Sequence, residues 1–299
     1  MKSIGWVVHG RLEKDRRWKG IQSKLERSAH HAHVVVFTQY SGHAAALAKQ
    51  LCRSGCVAIV AVGGDGTLNE CVNGVLPNYM NVAIGILAMG TGNDFVKTLH
   101  LSGNVDEILE AIEKDHHQQV DVALASYTNK LGENATRYCV NVMDIGIGGE
   151  VVQRIAHSSR WWGPFITYQK AILATLLKLK RPMVAWSKDQ EKYEEKTLML
   201  AIANAKWFGS GLGIAPLADL QDGVLEIVHL GDISILDYFL QLPHLRKGRH
   251  LRHPEIRYDR AQSVAVTTPD LPIDCDGEFI GATPMVVKIC PGLLKILKP

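Results

Sequence analysis

Two short apolar runs, each ending in a glycine-rich turn followed by a helical stretch, constrain this chain more than any other feature. Val57 to Val62 leads into Gly63-Gly64-Asp65-Gly66 with a helix from Leu68, and Val82 to Leu87 leads to Gly90-Thr91-Gly92 with a helix over Asp94 to Leu99. Uninterrupted apolar runs of this length read as strands buried on both faces of a parallel sheet. Val34 to Phe37 adds a strand upstream and His43 to Leu51 a helix. Both glycine turns then open on the edge formed by the carboxyl ends of the strands, where open α/β sheets place their ligands.

The pattern changes after Asp121. Short alternating runs separated by turn residues follow at Arg137 to Val142, Met183 to Ser187, Thr197 to Ala203, Val224 to Val228, Ser263 to Thr268 and Met285 to Ile289. These predict an antiparallel, sandwich-like second domain. The expected division is 1–122 for the α/β domain and 123–287 for the β-rich domain, and 299 residues are enough for two cores.

Composition excludes several classes. With 46% hydrophobic and 21% charged residues the chain is neither collagenous nor disordered, and a net charge of +3 is too small for wholesale phosphate neutralisation, so no nucleic-acid partner is expected. Six cysteines (Cys52, Cys56, Cys71, Cys139, Cys275, Cys290) lack zinc spacing and read as free thiols of a reducing compartment. The start is too short and too quickly basic for a signal peptide, and no apolar run reaches the roughly 18 residues of a spanning helix. The expected location is therefore cytoplasmic. Asn134-Ala135-Thr136 is then a chance triplet in a surface turn. The groups His30-His31-x-His33 and His116-His117 read as surface residues, since no carboxylate stands at ligand spacing.

The first turn, Gly63-Gly64-Asp65-Gly66-Thr67, allows a bulky anion to approach backbone N–H groups that a Cβ would shield. Asp65 beside a phosphate calls for a cation, which points to a Mg²⁺-nucleotide. The competing structural reading is a plain strand-to-helix turn, with Thr67 and Glu70 as a capping box. Gly90-Thr91-Gly92-Asn93-Asp94-Phe95 repeats the chemistry, although Asp94 alone can serve as an N-cap. Neither a Walker sequence nor a G-x-G-x-x-G fingerprint is present.

Gly63-Gly64-Asp65-Gly66-Thr67-Leu68-Asn69-Glu70 followed by Gly90-Thr91-Gly92-Asn93-Asp94-Phe95 closely resembles the diacylglycerol kinase catalytic-domain family, in particular its bacterial soluble lipid kinase branch. Ala215 to Gly223 looks like that family's metal loop, and Asp276-Gly277-Glu278 matches its D-G-E. The first motif alone is shared with NAD kinases. The resemblance implies an α/β nucleotide domain and a β-rich lipid domain, with the active site in the cleft and a C-terminal segment of about 288–299 returning to the first domain. It implies ATP contacts at Thr38, Gly63, Gly64, Asp65, Gly66, Thr67, Leu68, Asn69 and Glu70, and at Gly90, Thr91, Gly92, Asn93 and Asp94. Asp219, Asp222 and the Val224 carbonyl would hold Mg²⁺, and two carboxylates three residues apart around a turn suit one hard cation. A charged hairpin turn at Asp222-Gly223 is the competing reading. Glu278 is the implied proton acceptor, Asp276 its neighbour and Asp65 a rival base. One departure stands out: the family's Asn-Pro-x-Ser-Gly after the first strand is replaced by His9-Gly10-Arg11.

The function so implied is an ATP-dependent lipid kinase that phosphorylates a membrane lipid, with diacylglycerol as the leading acceptor. NAD kinase activity and a non-catalytic nucleotide-binding regulator remain the alternatives. A membrane surface is the expected partner, through two basic segments at 151–182 and 244–257. The first carries six cations, no acid, and a stripe of Trp161, Phe165, Tyr168, Ile172, Leu176 and Leu179 that by itself reads first as a core-facing helix, the basic face and the tandem Trp161-Trp162 keeping the membrane reading open. The second carries Arg246, Lys247, Arg249, Arg252 and Arg257, which equally fit ordinary solvated surface. The sequence leaves monomer and homodimer open.

Overall fold

The computed structural model describes residues 2–298 apart from Ala29, Pro77, 157–174 and 176–180. The aromatic stripe of the first basic segment lies outside the described residues. Two compact units emerge: residues 2–120 with the tail from Gly292, and Asp121–Pro291.

The first unit is α/β. Strands β1 (Lys2–Val8), β2 (His31–Phe37), β3 (Ala58–Gly63) and β4 (Ala83–Ala88) pair in parallel in the order β4-β3-β1-β2. Ala58 to Gly63 is buried at every position, as a strand covered on both faces must be. Helices α1 (Arg16–Glu26), α2 (His43–Arg53), α3 (Asp65–Val75), α4 (Asp94–Leu99) and α5 (Val105–Lys114) connect and cover the sheet. Asp15 caps α1 through two backbone amides, and Trp18 packs on Trp6 with ring centroids 6.4 Å apart. Both tryptophans are fully buried, and burying each large side chain contributes about 2–3 kcal/mol.

Two details of this unit correct the sequence reading. The helix after the first glycine turn begins at Asp65 rather than Leu68, so Thr67 lies in its first turn and no capping box forms with Glu70. His31 and His33 are half-buried on β2 rather than on the surface, and the Trp6 indole donates to His33 Nδ1 at 3.1 Å. Burial lowers the His33 pKa, with nearby His31 adding to the shift. His30, His116 and His117 are exposed as expected.

The second unit is β-rich and antiparallel. Its strands are β5 (His117–Asn129), whose first residues belong to the other unit, β6 (Asn134–Cys139), β7 (Val142–Gly146), β8 (Met183–Lys188), β9 (Glu191–Lys196), β10 (Met199–Ala203), β11 (Leu225–Leu230), β12 (Ile256–Ala261), β13 (Ser263–Val266), β14 (Pro272–Cys275) and β15 (Glu278–Leu297), whose residues from Gly292 onward belong to the other unit. Inward residues of β7, β8, β10, β11, β13 and β14 share one core that includes Met143, Trp186, Ile202, Ile227, Val264 and Ile273. The opposite face of β7, β10 and β11 packs beneath α6 (Ile147–Ala156) and α7 (Ile235–Arg246). The glycosylation-like triplet opens β6 rather than sitting in a turn. All six cysteines are free, five of them buried.

Candidate active site

In the first unit the carboxyl ends of β1, β3 and β4 carry the sequence-selected loops. Gly64 precedes α3 and offers no side-chain cap, so the first amides of that helix keep their N–H groups available to an anion. Gly64 and Gly90 are in backbone contact: a Cβ on Gly90 would lie 2.3 Å from Gly64 Cα. The glycines are needed here for proximity. By contrast, a Cβ on Gly66 would meet nothing within 4 Å, and the residue is exposed. That stretch of backbone is open to an approaching group.

Asp65 Oδ1 accepts the Phe95 amide at 3.1 Å and so ties the first glycine turn to the start of α4. Asn93 takes the left-handed conformation (φ 52°), its side-chain amide donates to Gly90 O at 3.0 Å, and its Oδ1 is buried without a donor among the described residues. Asp94 is buried and pairs with Lys97 at 2.9 Å. It lies inside the helix, and Asn93 holds the cap position. Thr67, Leu68 and Asn69 are buried at 6%, 1% and 1% exposure, so these side chains serve the interior and only their backbone is left for a ligand. Glu70 acts elsewhere: its carboxylate accepts the amides of Gly42 (2.8 Å) and Ala44 (2.9 Å) at the start of α2. Thr38 Oγ accepts the Gly10 amide at 3.0 Å, which anchors the variant His9-Gly10-Arg11 turn. Burial lowers the His9 pKa, with Arg11 lowering it further.

In the second unit β14 turns into β15 through Asp276 (φ 53°) and Gly277 (φ 84°), a two-residue hairpin with both residues left-handed. The Asp276 carboxylate accepts the amides of Val140 (2.9 Å), Asn141 (2.8 Å) and Val142 (3.2 Å), and the Cys139 thiol donates to it at 3.1 Å. It therefore clamps the β6–β7 connection. Glu278, half-buried, accepts a hydrogen bond from Arg137 at 2.5 Å. In the loop before β11, Asp219 accepts the Gln221 amide (3.0 Å) and Asp222 accepts the Val224 amide (3.2 Å), while Arg260 lies 3.2 Å from Asp222 Oδ2. The Gly223 amide donates to buried Asp121 at 2.7 Å. Buried Glu226 takes the Leu217 amide at 2.8 Å, and desolvation pushes its carboxyl up to about 7. Arg137, Asp121 and Glu226 escaped the sequence reading because single charged residues in or beside strands carry no spacing signal.

Beneath α6 and α7 the same unit holds an apolar cavity of about 60 Å³, lined by Val151, Met199, Phe208, Ile214, Leu245 and others. The outer side of α7 leaves Leu236, Phe239 and Leu240 exposed at 68%, 47% and 61%. Exposed Lys247, Arg249 and Arg252 follow the helix. Arg257 is not part of a free basic patch: it pairs with Glu195 at 2.8 Å and with Asp259 at 2.8 Å. From the first basic segment, Arg181 pairs with Asp232 at 2.6 Å.

Both units resemble known proteins. Residues 8–125 match the diacylglycerol kinase catalytic domain, and residues 141–298 match the YegS C-terminal NAD kinase beta sandwich-like domain. The diacylglycerol kinase of Staphylococcus carnosus is 28% identical over 254 residues, covering 83% of this chain and 78% of that protein. That of Staphylococcus saprophyticus is 29% identical over 233 residues, covering 76% and 72%. A diacylglycerol kinase structure from Bacillus anthracis superposes with a TM-score of 0.68 at 20% identity, covering 100% of this chain and 97% of that one. Yeast NADH kinase complexed with NADH gives a TM-score of 0.50 at 10% identity, covering 99% and 82%. The two structures show the fold, and the domain matches, which span the glycine turns and the D-G-E hairpin alike, show the family. This chain belongs to the diacylglycerol kinase family of lipid kinases.

Proposed function

We propose that this kinase transfers the γ-phosphoryl group of ATP to the hydroxyl of a membrane lipid, with diacylglycerol as the acceptor and phosphatidic acid as the product. The observation that carries the reading is the uncapped start of α3, held against the second glycine turn by the Gly64–Gly90 contact. Backbone amides aimed at one spot, beside an open Gly66, suit a polyphosphate. Asn93 Oδ1 offers an unmet acceptor to a hydroxyl of the nucleotide. The Thr38 and Thr91 hydroxyls and the backbone from Gly63 to Thr67 complete the seat.

In the second unit Glu278 takes the proton of the lipid hydroxyl as its oxygen bonds to phosphorus and the bond from phosphorus to the ADP oxygen breaks. Arg137 orients that carboxylate. Three amides and a thiol already occupy Asp276, so it anchors the turn, and Asp65, bonded to the Phe95 amide, is the weaker rival. Asp219, Asp222 and the Val224 carbonyl form an all-oxygen donor set that fits Mg²⁺, and the Arg260 guanidinium already lies against Asp222 as a cation. Bound there, Mg²⁺ would supply positive charge and fix the loop that Asp121 and Glu226 support from behind.

The apolar cavity suits part of an acyl chain. The exposed Leu236, Phe239 and Leu240, with Lys247, Arg249 and Arg252 beyond, suit an anionic bilayer surface, where a cytoplasmic enzyme would meet its lipid. The test is Mg-ATP with diacylglycerol, monoacylglycerol, a sphingoid base and NAD. Label on diacylglycerol, lost in Glu278→Gln while ATP still binds, is the expected result. Label on NAD alone, or none on any acceptor, overturns the reading, and full turnover in Glu278→Gln removes Glu278 as the base.

A further inference from the structure

Two carboxyls that this scheme does not use lie wholly inside the second unit. Asp144 on β7 and Asp274 on β14 stand directly opposite each other in the antiparallel register and are 0% and 2% exposed. No side chain donates to either oxygen of Asp144 among the described residues, and the amides of Gly148 and Gly149 at the start of α6 are its nearest polar groups besides Asp274. The backbone at the start of α6 crowds it: a Cβ on Gly148 would lie 1.9 Å from Asp144 Oδ1. Two like charges facing each other away from bulk solvent cannot readily both ionise. Burial pushes Asp144 up to about 7 against the downward pull of the Gly148 and Gly149 amides, and burial together with the charges of Asp144 and Asp276 drives Asp274 well above the usual carboxylate range. Near neutral pH the pair therefore keeps at least one proton, shared between the two carboxyls.

Asp274 also reaches the turn that carries Glu278. Its Oδ1 accepts the Gly277 amide at 2.8 Å, and Gly277 immediately precedes Glu278. We propose that Asp144 and Asp274 are positioning residues, a proton-sharing pair that fixes the Asp276-Gly277 turn and so aims Glu278 at the lipid hydroxyl for as long as the pair keeps its proton. The inference rests on Glu278 as the base of the proposed reaction. Asp274 can hold the Gly277 amide in both the neutral and the singly ionised pair, whereas full ionisation forces the two carboxylates apart. Among the described residues the titratable groups nearest the pair are Asp276 on the turn and Cys275 on β14, and Cys275 in turn faces Cys139 and Arg137 on β6. From α6 it meets the backbone of Gly148 and Gly149, and on β10 Ala201 stands opposite Asp144.

Asp144→Asn leaves a single carboxyl beside a neutral amide and so removes the shared proton. The experiment follows kcat and KM for ATP from pH 6 to 10 in the wild type, Asp144→Asn and Asp274→Asn; the last keeps an acceptor for Gly277. The wild type should lose kcat on the alkaline side, with about a tenfold fall per pH unit once the last proton leaves. Asp144→Asn should lack that limb, and KM for ATP should stay flat in all three. A second readout needs no turnover. A raised carboxyl pKa stabilises fully below the unfolded value near 4 and is lost as pH rises through the folded value, so the wild-type urea midpoint should decline from about pH 4 upward more steeply than that of Asp144→Asn. Matching midpoint slopes would show that no proton is shared, and matching kcat profiles would show that the pair does not position Glu278; either result overturns the proposal. If Glu278→Gln keeps turnover, it is the base assignment that has failed, and the midpoint slopes still decide whether the pair holds its proton.

Discussion

Replacing Glu70 with Ala separates two roles for a residue inside the nucleotide motif. The family pattern implies a nucleotide contact, whereas in the structure both carboxylate oxygens accept amides at the start of α2, from Gly42 and Ala44. Gly42 is the N-cap of that helix, with φ 86° and no side chain to satisfy its orphan donors. Glu70 supplies from α3 what Ser or Asp normally supplies at the cap itself. A cap bond is worth roughly 1 kcal/mol, and a carboxylate near a helix N-terminus adds roughly 0.3–1 kcal/mol. Two bonds plus the dipole contribution, discounted for partial exposure, give a loss of about 2 kcal/mol in Glu70→Ala. With a urea slope of about 2 kcal/mol/M, the midpoint of the unfolding transition should drop by about 1 M. Glu70→Gln, which keeps one acceptor oxygen, should lose about half as much. ATP affinity, measured by calorimetry on the folded variant, should stay within about twofold of the wild type, less than the tenfold that 1.4 kcal/mol represents. An unchanged midpoint combined with a large loss of ATP affinity would refute the clamp and return Glu70 to the nucleotide.

The two glycine turns give a contrasting pair of substitutions. Gly66→Ala, with open space around its Cβ, should leave the urea midpoint nearly unchanged and weaken ATP binding, because in the proposed seat the added methyl would stand in the way of the phosphates. Gly90→Ala, whose Cβ would lie 2.3 Å from Gly64 Cα, should lower both the midpoint and the ATP affinity. Equal stability losses in the two variants would mean that Gly66 also serves packing. Leu236→Glu with Phe239→Glu should abolish sedimentation with vesicles containing anionic lipid while leaving the unfolding free energy within about 0.5 kcal/mol of the wild type, as surface substitutions do. Unchanged sedimentation would remove α7 from the membrane surface.

Much of the first unit was legible in the sequence because the signals are local. An apolar run buried on both faces, a glycine where the backbone must turn, and a following amphipathic stretch together define β3, α3, β4 and α4, and the observed boundaries differ by only a few residues. The D-G dipeptide at Asp276-Gly277 likewise announces a tight hairpin, since both residues take positive φ. The T-x-x-E pattern at Thr67 to Glu70 misled because capping depends on where the helix begins. With α3 starting at Asp65, Glu70 lies beyond reach of the cap and meets a neighbouring helix instead.

What the sequence determined by itself was the strand-turn-helix units around the two glycine turns and the acids near the C-terminus, because backbone conformation and side-chain periodicity are set within a few residues. Tertiary structure alone decided which of those acids are engaged and which are held in place. Asp276 is taken up by the amides of Val140, Asn141 and Val142, more than 130 residues away in the chain. Glu278 is met by Arg137, and Asp274 by Asp144 across a strand pair. The protonation and aim of a carboxyl follow from its desolvation and its neighbours, and neighbours brought together from distant segments leave no trace in local spacing.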